Sequence, residues 1–125
     1  MTEPFGAANA DYVGEETQIG GGRGGMKPLA QHGQVVIAQG MLTLYGTKGD
    51  VIDSAPLANV EVKKSKLVMG QGVFVQINGK KYFLSVGHGA GVIGPMGEPG
   101  SQMAMSIEGT RGFVEAFQRL SGKKV

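Results

Sequence analysis

"VFVQINGKKYFLSV", residues 73–86, sets two β-rich runs on either side of Asn78-Gly79. Both turn residues tolerate positive φ, as a type I′ turn demands, so the stretch predicts a β-hairpin. Upstream, from Gln34, comes a series of short runs of the same kind. "QVVIAQ" (34–39) is followed by "MLTLYG" (41–46), in which Met41, Thr43 and Tyr45 alternate with Leu42 and Leu44. "GTKGD" (46–50) is a turn, and "VIDSA" (51–55) is a third strand that Pro56 ends. "ANVEVKK" (58–64) sets Val60 and Val62 against Asn59, Glu61 and Lys63, the pattern of a half-buried strand. "KLVMG" (66–70) adds one more run before the hairpin. Downstream, "GTRGFVEAFQRLSGKK" (109–124) brings Phe113, Val114, Phe117 and Leu120 to helical spacing, with Thr110 as N-cap and Gly122 past the end. Gly112 in the first turn works against that helix. The expected fold is mainly β: about seven short antiparallel strands in a bent sheet or partly open barrel, capped by one C-terminal amphipathic helix at about 109–121.

Ahead of the strands, residues 1–33 show no sustained periodicity and contain "GGGRGG" (20–25), so they are expected to form a disordered glycine-rich arm. A lone Arg23 is too little charge for an arginine-glycine nucleic-acid segment. The domain itself is expected to occupy 34–125. Of 125 residues, 23 are glycine and none is cysteine, which excludes disulfides, thiolate nucleophiles and zinc-thiolate sites. Twelve basic against ten acidic residues give a net charge of +2. Beyond residue 30 the balance is 10 basic against 6 acidic, a mild excess that does not suggest a nucleic-acid partner. Neither a basic-then-apolar leader nor a long apolar run is visible, so a cytoplasmic setting is expected.

The run "MLTLYGTKGDVIDSAPLANVEVKKSKLVMGQGVFVQINGKKYFLSV" followed by "FVEAFQRL" resembles the pleckstrin-homology-like group, including bacterial pleckstrin-homology and GRAM-type domains, over about 35–121. Pro56, Leu57 and Val60 fill the group's proline-leucine-x-x-valine segment, and Phe113, Val114, Phe117 and Leu120 fill its helix. The resemblance implies a non-enzymatic binding module, a bent seven-stranded sheet with a helix plugging one end. Such modules take anionic lipid headgroups, peptides or proteins. Phosphoinositide-binding members carry basic residues around the loop joining the first two strands. Here that loop is read as "AQGM" (38–41), which has no charge.

The stretch "SVGHGAGVIGPMGEPGSQ" (85–102) carries Gly89, Gly91 and Gly94 in the spacing of a dinucleotide fingerprint. That site needs a helix opening directly after the glycines, and Pro95, Gly97, Pro99 and Gly100 argue against one there. Gly91, Gly94, Gly97 and Gly100 give four collagen-like triplets, too few for a triple helix. What remains is an oversized loop over 87–107, with Val92, Ile93, Met96, Met103 and Met105 as candidate partner contacts. Its "MAMSI" (103–107) is also a candidate extra strand at a sheet edge.

Lys63, Lys64, Lys66, Lys80 and Lys81 sit at strand ends and turns and are the candidate anion contacts, against the plainer reading that they blunt strand edges. His32 and His88 have no second ligand at metal spacing, and Ser85 near His88 lacks an orienting acid. Asp50, Asp53, Glu61 and Glu108 form no paired motif. No catalytic residue, metal or cofactor is therefore expected. The functional expectation is a binding or adaptor module that contacts protein through sheet edges and the 87–107 loop. Two alternatives stand beside it: a self-associating component of a larger assembly such as a virus or phage particle, which would change the location to the virion, and a weak binder of anionic membrane surfaces.

Overall fold

A computed structural model describes residues 10–22, 27–64, 72–87 and 99–125, the last from residue 106 onward with side chains. The strands are β1 (Tyr12–Gly21), β2 (Lys27–Ala38), β3 (Met41–Tyr45), β4 (Val51–Pro56), β5 (Val60–Lys64), β6 (Val73–Ile77) and β7 (Lys80–Ser85). A 3-10 turn at Leu57–Asn59 separates β4 from β5, and one helix, α1, spans Pro99–Ser121. The protein is thus mainly β, with seven antiparallel strands in one open sheet and a C-terminal helix.

Strand order across the sheet is β4-β3-β2-β1-β7-β6-β5, two meanders joined where β1 pairs with β7. The join is short, running from Gln18 opposite Ser85 to Gly20 opposite Phe83. Both edge strands, β4 and β5, flank the same 3-10 turn of 3 residues. The sheet must therefore curl until its two edges approach each other. Two side-chain hydrogen bonds form a seam between β4 and the β6–β7 hairpin. Asn78 Nδ2 donates to the Ser54 carbonyl at 3.2 Å, and the Tyr82 hydroxyl donates to Asp53 Oδ2 at 2.7 Å. The inner face packs Val35, Ile37, Leu42, Leu44, Val60, Val75, Ile77 and Leu84 against Phe113 and Phe117 of α1, all fully buried.

The hairpin expected over 73–86 is present, and Asn78 and Gly79 have φ of 51° and 83°. The arm expected over 1–33 is corrected: Tyr12–Gly21 is the central strand, and β2 already begins at Lys27. Its alternation is hidden because β1 slips register against β2 three times between Gly14 and Gly20. At the first slip Glu16 adopts φ 53°, and the buried Thr17 hydroxyl donates to the Gly14 carbonyl at 2.9 Å. Such bulges break the period of two by which a strand is read. Residues 1–9 and the expected strand at 66–70 lie outside the described residues, so β1 supplies the seventh strand. It follows that "AQGM" joins β2 to β3, and residues 22–26, with Arg23, connect the first two strands. The charge-free loop therefore carries no argument against phosphate recognition.

The helix is longer than the expected 109–121, and Thr110 is a buried interior residue rather than its N-cap. Among the residues of α1 described with side chains, Ser106 and Thr110 are buried along with the expected Phe113, Val114 and Phe117, so polar residues share the buried face. The oversized loop shrinks accordingly, and "MAMSI" is helical instead of forming an edge strand. Gly109 is required here: a Cβ at this position would collide with the Val86 carbonyl oxygen, so its absence lets α1 lie directly on the end of β7. Among the described residues, no helix is long and apolar enough to cross a membrane.

Candidate docking groove at the β5 edge

β5 is short, and among the described residues it pairs with β6 on one side only, from Val60 opposite Ile77 to Lys64 opposite Val73. Val60 and Val62 face the core, while Glu61, Lys63 and Lys64 are exposed. Beyond its free edge, the C-terminal end of α1 and the residues after it form the far wall of a groove of about 320 Å³. Val62, Phe117 and Val125 give that groove its apolar part, and Lys63, Lys64, Lys123 and Lys124 surround it together with Glu61.

Lys123 fixes the polarity of the edge. Its ammonium donates to the Ala58 carbonyl at 3.0 Å and to the Val60 carbonyl at 2.8 Å. The Val60 carbonyl thus points away from β6. In an antiparallel strand the N–H and C=O of one residue point to the same side, and the side alternates along the chain. Val62 and Lys64 therefore turn their main-chain groups outward as well. Among the described residues no main-chain group answers them. The end of the chain is held in place near the groove: the Ser121 hydroxyl is the acceptor for Lys123 N–H at 3.0 Å, and Gln118 Oε1 accepts from Val125 N–H at 3.0 Å.

The sequence-derived lysines divide between two places. Lys63 and Lys64 line the groove, joined there by Lys123 and Lys124, which the sequence reading did not single out. Lys80 and Lys81 open β7 and line a separate hollow of about 300 Å³ with Gly22 and Tyr82. On the outer face there, Lys81 Nζ stands 5.3 Å from the Phe74 ring centroid, and Phe74 meets Phe83 edge-on at 5.3 Å. Lys66, His88, Val92, Ile93 and Met96 lie outside the described residues, and Met103 and Met105 are in α1, in the part described by backbone alone.

Of the acidic residues considered for chemistry, Asp53 is engaged by the Tyr82 hydroxyl and the Ser54 N–H. Tyr82 is pushed up to about 12, first by burial and then by its hydrogen bond to Asp53 and the charge on that carboxylate. Glu16 meets His32 Nδ1 at 3.2 Å in a solvent-exposed pair. These are side chains tied into the sheet, and none of them opens onto the β5 groove. An edge with unanswered main-chain donors and acceptors, an apolar floor and four lysines is suited to holding an extended anionic chain by its backbone and its charge. No protein-family model and no curated protein matches this chain.

Proposed function

We propose that this protein is a non-enzymatic binding module of pleckstrin-homology-like type that takes an extended acidic segment of a protein along the free edge of β5. The observation that carries this is the outward-facing main chain of Val62 and Lys64 beside a groove with four lysines. Strand addition gives affinity through main-chain hydrogen bonds, and the flanking side chains give selectivity. The seven antiparallel strands and the C-terminal helix are compatible with the family part of the reading, for which the resemblance implies a bent seven-stranded sheet and a terminal helix.

The test is a titration of fluorescent peptides, one acidic and one basic of equal length and β-propensity, followed by anisotropy at low and high salt. The acidic peptide is expected to bind and to weaken with salt. Lys64→Pro removes one outward N–H at an edge where proline is tolerated, and it should abolish binding while Lys64→Ala weakens it a few-fold. Equal binding of both peptides, or no difference between the Pro and Ala variants, would refute strand addition.

A further inference from the structure

We propose that the β5 groove receives the acidic face around Glu15 and Glu108 of a second copy of this chain, so that copies associate head to tail. This rests on the groove reading above and names its occupant.

The molecule has a second free edge of opposite charge. β1 is paired with β2 from Tyr12 onward, but its ladder with β7 covers Gln18 to Gly20 alone. Among the described residues, the first half of β1 therefore has one unpaired side, and α1 runs beside it across a groove of about 460 Å³. Glu15, Glu16 and Glu108 line that groove, together with Val13 and Val86. On the α1 side Gly112 leaves room, since a Cβ there would meet nothing within 4 Å.

The two grooves share a plan: each lies between a strand edge and α1. One has four lysines around it and the other three glutamates. Glu108 lies 13 positions before Ser121, where α1 ends, so at 1.5 Å per residue it stands about 20 Å along the axis from the helix end that Lys123 and Lys124 follow. Opposite charges separated along α1 and the residues after it repel when like faces meet and attract when the basic face of one copy meets the acidic face of the next. An interface made from two different faces is heterologous, and its repetition gives a closed ring or an open filament. Steric access is provided by the exposed Glu15, Glu108, Lys63 and Lys64.

The test is sedimentation velocity on the full chain across a hundredfold concentration range at low and high salt. Two double variants neutralise one face each: Glu15→Gln with Glu108→Gln, and Lys63→Gln with Lys64→Gln. All four positions are exposed, and an unchanged circular dichroism melt checks that folding is intact. The wild type is expected to form larger species at low salt that high salt disperses, and each variant to associate at least tenfold more weakly. Mixing the two variants should restore association but stop at a heterodimer, because one live face remains on each. A wild type that stays monomeric throughout, or variants that lose association without regaining it on mixing, would overturn the proposal. A monomer that still binds the acidic peptide would discard self-association and keep the groove; a monomer that binds neither would discard both.

Discussion

Gly109 and Gly112 are three positions apart on α1, and a methyl group would mean opposite things at each. At Gly109 it would stand against main chain that cannot move aside, so Gly109→Ala is expected to lower stability by about 1–3 kcal/mol. At Gly112 it would point into open space, so Gly112→Ala should raise stability by up to about 1 kcal/mol, the helix-propensity difference. Urea melts of the two variants check both signs. Tyr82 adds a pH dependence. Its phenol titrates near 10 in the unfolded chain and near 12 in the fold, so its contribution is complete below pH 10 and is lost between pH 10 and 12. Burial pushes the Tyr12 phenol upward too, so both tyrosines act in the same direction. The thermal midpoint should fall over that window, and Tyr82→Phe should fall less steeply although it starts lower for loss of the Asp53 bond.

The β6–β7 hairpin was legible because its turn chemistry and both flanking strands fall within one short stretch. Asn78 has a second task there, since its side-chain amide ties the turn to the Ser54 carbonyl of β4. Asn78→Ala gives up both the left-handed preference and the seam bond, and should cost about 1–3 kcal/mol in a denaturant melt. β1 was not legible, because its bulges, its glycines and its buried Thr17 remove the alternation that marks a strand. The start of α1 was hidden for a related reason. Pro99 and Gly100 read as breakers, and the buried Ser106 and Thr110 are polar where a helix is read from apolar spacing. In both elements tertiary packing prevails over local preference.

At the scale of the molecule, the groove at β5 joins residues that are far apart in the chain. Lys63 and Lys64 were visible as strand-end lysines, but Phe117, Lys123 and Val125 reach them only through the folding of α1 back onto the sheet. The same holds for the sheet as a whole, in which β1 connects the meander β2–β4 to the meander β5–β7. Deleting residues 1–21 should therefore abolish cooperative unfolding, whereas loss of a mere arm would leave the melt unchanged; circular dichroism distinguishes the two. Ile19 and Leu84 face each other across that junction, one near the beginning of the chain and one well past its middle. Synthesis proceeds from the N-terminus, so the strand made first is completed by the strand made last. A nascent chain can close the first meander early, but β1 keeps one flank open until β7 leaves the ribosome, and for that interval the unfinished domain is most exposed to the wrong neighbour.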